Sequence, residues 1–281
     1  MKAKGHIWKI IRTIIIAAIS FTMLYPFIWM LSASFTVEKS IYDFPFKLIP
    51  NPITLQGYID IWTNTTVGYP LTVYFFNSLK VTLIGVIGSL IACSLAAYGY
   101  TKIEFPGRDK IFFVKISTMM IPLQVVMLPN FMIYKFLGLV DTHAALYIGS
   151  CFGAAFGTFL LRQAFITIPK ELNEAAEIDG ANNFRIYSQI IMPLAKPALA
   201  TLLIFTFMYL WNGYEMPLIY IRSPKLYTLP LGLAMVTNDM FFQRDGAAMA
   251  GAVCSALPLL LLFIFAQKYF IQGIASTGIK G

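Results

Sequence analysis

Residues Val81–Thr101 read VTLIGVIGSLIACSLAAYGYT, a run without a single charge. At 1.5 Å of rise per helical residue, such a run crosses a hydrocarbon core about 30 Å thick. Five more uncharged runs accompany it: Thr13–Phe35, Ile116–Tyr134, Ala144–Leu161, Pro197–Tyr214 and Gly246–Gln267. All six have 18–23 residues, which predicts an all-α membrane protein with six transmembrane helices. Composition agrees, because 58% of the 281 residues are hydrophobic and 12% are charged, against about 45–50% and about 25% in soluble domains. A soluble fold of this length buries only about three quarters of its surface, so it has nowhere to hide so much apolar area.

A net charge of +8 raises the question of a nucleic-acid partner, and the placement of the charges excludes one. Six spans put both termini on one side. That side carries Lys2, Lys4, Lys9, Arg12, Lys102, Arg108, Lys110, Lys115, Arg162, Lys170, Arg185, Lys196, Lys268 and Lys280. The other side carries Lys39, Lys47, Lys135, Arg222, Lys225 and Arg244, while Lys80 sits near the outer end of the second span, where it can snorkel. The positive-inside rule makes the N and C termini cytoplasmic. The first run, at 23 residues, exceeds the 7–15 of a signal-peptide core, so it is read as an uncleaved helix.

Cys93, Cys151 and Cys254 all fall inside apolar runs, where Cys acts as a small hydrophobe. His6 and His143 are far apart in sequence, with no carboxylate or thiol cluster near either. No metal and no cofactor are expected.

Between the first two spans, Thr54 precedes Leu55, Tyr58, Ile59 and Trp62, a helical spacing with Thr54 as N-cap. The apolar face of this short helix suits either the outer membrane interface or packing onto the bundle. Asn64-Thr65-Thr66 matches a glycosylation sequon, a three-residue pattern too common to carry weight. Pro122 and Pro129 predict a kinked third span. Gly149, Gly153 and Gly157 in the fourth, and Ala247, Gly251 and Ser255 in the sixth, predict close helix contacts, with a neighbour from this chain or from another.

The stretch Ile168–Pro193, IPKELNEAAEIDGANNFRIYSQIIMP, lies on the cytoplasmic side between the fourth and fifth spans. Pro169 suits a first helical turn and Glu171 its dipole. Leu172, Ala175, Ala176 and Asp179 share one face, and the two Ala admit a close partner backbone. Gly180 stops that helix. Asn182 or Asn183 caps a second, in which Phe184, Tyr187, Ser188 and Ile191 share a face. Glu171, Glu174, Glu177 and Asp179 cluster within nine residues. An anionic lipid surface repels such a cluster, so the loop is read as a protein-docking element.

Glu174-Ala175-Ala176, Gly180, Ile190 and Pro193 resemble the EAA motif of ABC-importer permeases, with Met192 where the motif has Leu. The wider chain resembles the maltose-type permease subunit of carbohydrate importers. The likeness includes Asn77-Ser78-Leu79, Phe105-Pro106-Gly107-Arg108, Gly138-Leu139-Val140-Asp141-Thr142, Trp211-Asn212, Thr228-Leu229-Pro230 and the ending from Tyr269 to Gly281. The resemblance implies a type I ABC importer permease fold, a single transmembrane domain over 1–281 with an ATPase-coupling loop at 168–193. It implies a multi-pass protein of a bacterial or archaeal cytoplasmic membrane that imports a sugar or oligosaccharide by alternating access. The implied partners are a second homologous permease, two ABC ATPase subunits and an extracytoplasmic substrate-binding protein. The coupling residues it implies are Glu174, Ala175, Ala176, Asp179, Gly180, Ile190 and Pro193. The loop between the fifth and sixth spans resembles one that probes the binding protein, and the tail after Gln272 one that reaches the ATPases.

The chain itself is not expected to be an enzyme. Its nearest approach to a phosphate-binding loop, Gly273–Lys280, lacks Lys directly after the second Gly and any strand–helix context. An ion-coupled secondary transporter is the rival reading, and such proteins place ionisable residues near mid-membrane. Glu215 is read as the only acidic residue in a span, and it falls near the outer interface. Asn77, Ser78, Gln124, Trp211, Asn212 and Glu215 are candidates to line a substrate pathway, because aromatic faces stack on sugar rings and amides and carboxylates bind hydroxyls. Each such residue serves helix packing or the interface more often than a pathway.

Overall fold

The computed structural model describes residues 2–45, 47–63, 69–237 and 245–278, with side chains described between 8 and 267. The sequon at Asn64 lies outside these residues. The described chain is helical, in the order α1 (Lys2–Ser34), α2 (Gln56–Thr63), α3 (Leu71–Lys102), α4 (Arg108–Ser117), α5 (Leu123–Phe136), α6 (Ala144–Tyr147), α7 (Ala155–Ile166) and α8 (Lys170–Ile178). Then follow α9 (Asn183–Ile186), α10 (Met192–Leu194), α11 (Lys196–Trp211), α12 (Glu215–Tyr220), α13 (Leu229–Thr237) and α14 (Asp245–Gly278). Four stretches are long and apolar enough to cross a membrane: Trp8–Ser34, Leu71–Lys102, Ala144–Ile166 and Asp245–Gln267. Two bent pairs, Arg108–Met120 with Leu123–Phe136 and Asn183–Leu194 with Lys196–Trp211, bring the spans to six.

Two of these spans are more broken than the hydropathy pattern predicts. The third bends by 103° between α4 and α5. Ile121 is extended, because a residue before proline is pushed out of the helical region, and Pro122, which lacks the N–H to continue a ladder, caps α5. Pro129 stays inside α5. The fourth span is interrupted at Gly153, whose φ of +73° ends a short 3₁₀ stretch, Ile148–Phe152.

The chain divides into two compact units. In the first, Met1–Thr72 with Leu233–Leu257, the most apolar stretch of α1 has no buried residue, and burial begins only at its end, with Ser32, Ala33 and Ser34. Thr54 Oγ1 accepts from the Gln56 N–H at 3.1 Å, capping α2. That helix packs partly on its own chain: the Tyr58 and Ser34 hydroxyls lie 2.9 Å apart, and a Cβ on Gly57 would stand 2.7 Å from the Gly246 carbonyl oxygen. Ile61 is buried, yet Leu55 and Ile59 stay exposed. The Tyr58 side therefore serves packing, while Leu55 and Ile59 remain exposed.

In the second unit, Val73–Gly232 with Pro258–Gly281, a core of Cys93, Ala97, Leu161, Phe165, Ile186, Ile191 and Leu202 joins α3, α7, α11 and the 168–193 loop. The glycines of the fourth span serve contacts within this chain. A Cβ on Gly157 would meet Cys93 Sγ at 2.7 Å, and one on Gly153 the Ala92 carbonyl at 3.3 Å. Gly251, in the first unit, likewise packs on Leu233 and Ile61.

Candidate functional site: a cytoplasmic loop and an outer cavity

The loop begins with α8, which ends in a hydrogen-bonded reversal. The Ala181 N–H donates to the Ala176 carbonyl at 2.9 Å and the Gly180 N–H to that of Glu177 at 3.0 Å. Gly180 sits at φ +80°, the left-handed conformation this turn requires and that side chains resist. Nothing lies within 4 Å of where its Cβ would be, so backbone conformation alone demands the glycine. Asn182 is the cap of α9, its Oδ1 accepting from the Arg185 N–H at 2.9 Å.

Between α9 and α10 the chain takes a π turn at Tyr187–Ile191. The sequence spacing put Phe184 and Ile191 on one face. The π turn adds a residue to the repeat, so Ile191 joins Ile186 in the core while Phe184 is 70% exposed. The two alanines also part company. Ala176 packs on the core of its own chain, whereas Ala175 faces outward. Leu172 and Ile178 are exposed as well, Ile178 at 87%. Glu174, Asp179 and Pro193 are exposed, and Ile190 is half-buried.

The loop is fastened to α3. Ser94 Oγ and Tyr187 Oη lie 2.7 Å apart. The Tyr98 and Tyr187 rings meet edge-on at 5.4 Å, the Tyr98 hydroxyl donates to Asn183 Oδ1 at 3.4 Å, and Lys102 Nζ donates to the Ile168 carbonyl at 3.0 Å. These contacts tie the loop to a membrane span.

At the outer end of the same unit lies a cavity of about 670 Å³, inside the ~300–1,000 Å³ range of small-molecule sites. Its polar lining includes Asn130, Tyr134, Tyr209, Asn212, Tyr214 and Glu215. Two of the residues singled out from sequence, Asn212 and Glu215, are here. Gln124 is exposed near the start of α5, outside this lining.

Asn77, Ser78 and Trp211 hold structure instead. Both Nδ2 hydrogens of Asn77 are committed, to the carbonyls of Lys225 and Tyr227 at 2.9 Å each. Ser78 Oγ, buried, accepts from the Leu229 N–H at 2.7 Å, satisfying a first-turn donor of α13. Trp211 is fully buried, stacked on Phe207 at 5.6 Å and edge-on to Phe75 at 5.5 Å.

The outer segment after α12 is clamped from further sides. Asp141, at φ +63°, accepts on Oδ1 from the Arg222 and Ser223 N–H groups at 2.9 and 2.8 Å, and on Oδ2 from the Ser223 hydroxyl. These donors hold its carboxyl below the usual carboxylate range, with the Ser223 hydroxyl the largest cause. His143 Nε2 donates to the Leu226 carbonyl at 3.0 Å, and burial lowers the pKa of its imidazole. Among the described residues, no three His, Cys, Asp or Glu side chains come together to hold a metal ion.

Residues 85–276 match the family described as binding-protein-dependent transport system inner membrane component. The chain belongs to this family. It is a multi-pass permease, and ATP hydrolysis falls to a separate subunit. Among relatives of this permease is an arabinooligosaccharide transport system permease protein of Halalkalibacterium halodurans, 34% identical across 96% of this chain and 95% of that one. A galactooligosaccharide transport system permease protein of Bacillus subtilis is 30% identical across 100% and 99%. In structure, the permease resembles a chain of a bacterial ABC transporter involved in import of the acidic polysaccharide alginate. That match has a TM-score of 0.85 and 27% identity, and covers 94% of this chain and 97% of that one. Family and fold agree with the helical permease architecture read from the six apolar runs and the EAA loop.

Proposed function

We propose that this permease forms one half of the pathway of an ATP-driven importer for oligosaccharides, with a second, homologous permease supplying the other half. Two cytoplasmic ATPase subunits receive the 168–193 loop, and an extracytoplasmic binding protein delivers the sugar to the outer face. The observation that carries the coupling role is the loop itself. A rigid Gly180 turn presents exposed Leu172, Ile178 and Phe184 beside an acidic cluster, while Tyr187 and Ile191 tie the same loop into the membrane core. A solvent-facing loop with no partner gains nothing from three large exposed apolar side chains. The exposure of the most apolar stretch of α1 supports a membrane partner for that helix, and the tyrosine- and amide-lined cavity supports a sugar as cargo.

Reconstitution of the permease pair, ATPases and binding protein in vesicles tests this reading through ATP-dependent uptake of labelled oligosaccharides, amino acids and phosphate. Saccharide accumulation is expected. Uptake of amino acids or phosphate alone would remove the carbohydrate assignment.

A further inference from the structure

We propose that the outer cavity is a saccharide subsite that discriminates by charge, taking a neutral sugar unit and turning away a uronate, with Glu215 as the discriminating residue. The inference rests on the oligosaccharide reading and adds a substrate class to it. Among the described lining residues, Glu215 alone carries a charge, and it makes no ion pair with any described residue. Glu215 is exposed. Tyr209 and Tyr214 beside it are 58% and 38% exposed, so their rings remain open to a ligand. Asn212 is exposed and Asn130 half-buried on the same wall.

This set of groups matches a polyhydroxylated ring. Aromatic faces cover the apolar C–H side of a sugar, and an ionised carboxylate accepts two hydroxyl hydrogens at once, each a charge-assisted bond. A uronate brings a second carboxylate into the same space. At separations of several ångström under a partly screened dielectric, that repulsion disfavours binding by about tenfold or more. The structurally similar chain from the alginate importer belongs to a system for an acidic polymer, so the two permeases are expected to part at this position.

The test uses the assembled importer in lipid nanodiscs, with galactotriose and trigalacturonate of the same linkage as probes. Saturation-transfer difference spectra report direct contact with each sugar. Wild type is expected to favour the neutral sugar by about tenfold. Glu215→Gln should bring the two within about threefold, by weakening the neutral signal and strengthening the acidic one. Tyr209→Ala should lose both signals, and Tyr209→Phe should keep them. Asn212→Lys, which sets a cation beside Glu215, gives a second measure of the ratio if Glu215→Gln fails to assemble. An unchanged neutral-to-acidic ratio in the charge variants, or an unchanged signal in Tyr209→Ala, overturns the subsite. Absence of any saccharide signal from wild type would instead reject the oligosaccharide reading beneath it.

Discussion

The hydroxyl oxygens of Ser94, in α3, and Tyr187, in the cytoplasmic loop, stand 2.7 Å apart across 93 residues of sequence. Ser94 Oγ also lies 2.6 Å from the Leu90 carbonyl, which can only accept. The serine proton therefore goes to Leu90, and Tyr187 donates to the serine. Together with the contacts of Tyr98 and Lys102, this bond joins the 168–193 loop to a helix long and apolar enough to cross a membrane.

The direction of that bond makes its two deletions unequal. Tyr187→Phe removes the donor and leaves Ser94 still bonded to Leu90, a loss of about 1 kcal/mol. Ser94→Ala strands the half-buried Tyr187 hydroxyl and should cost more, about 1–3 kcal/mol. Thermal unfolding of the assembled importer should rank wild type, Tyr187→Phe, then Ser94→Ala. The reverse order would mean that the tyrosine is the acceptor.

Gly180 offers a cleaner test of coupling, because no neighbour would clash with a side chain there. Its φ of +80° penalises a β-branched residue most and Asn least. Gly180→Val should assemble in the membrane yet show weak ATPase stimulation and weak uptake, while Gly180→Asn keeps most of both. Normal substrate-stimulated hydrolysis in Gly180→Val would show that this turn does not transmit motion.

The outer clamp predicts a dependence on pH. Asp141 has its pKa depressed by the donors from Ser223 and Arg222. Its contribution is thus complete above the ordinary carboxylate range and fades as pH falls through the lowered value. Hydrogen exchange of a peptide spanning Arg222 and Ser223, corrected for intrinsic rate, should stay slow at neutral pH and quicken only in strong acid. Asp141→Asn should exchange faster even at neutral pH. Equal protection in the variant would show that the carboxylate charge is dispensable.

Topology can be read by thiol labelling in a background without native cysteines. Single Cys residues at Thr54, Thr142 and Thr237 should react from outside intact cells, and one at Asn183 only after permeabilisation. Labelling of Asn183 from outside would invert the charge-based orientation and place the coupling loop on the wrong face.

Local physics was enough to read the helices and the Gly180 turn. Six uncharged runs, the Thr54 and Asn182 caps and the Gly180 stop depend on residues a few positions apart, and each has its expected place. The cavity depends on something else. Asn77, Ser78 and Trp211 read as pathway candidates because they are polar or aromatic residues in or near spans. Yet Asn77 and Ser78 spend their hydrogen bonds on a segment about 150 residues away, and Trp211 is enclosed by Phe75 and Phe207. The cavity is lined by Asn130, Tyr134, Tyr209 and Tyr214 with Asn212 and Glu215. Tyrosine is ambivalent, apolar enough to sit within a span and polar enough to line a pathway, so periodicity cannot say which way its hydroxyl faces. The π turn that sends Ile191 inward and leaves Phe184 outside, and the breaks at Gly153 and Pro122, belong to the same class. A helix pattern fixes neighbours three or four residues apart. Which face turns to water, to lipid or to a ligand is decided by packing across the whole fold, and only the tertiary structure carries that information.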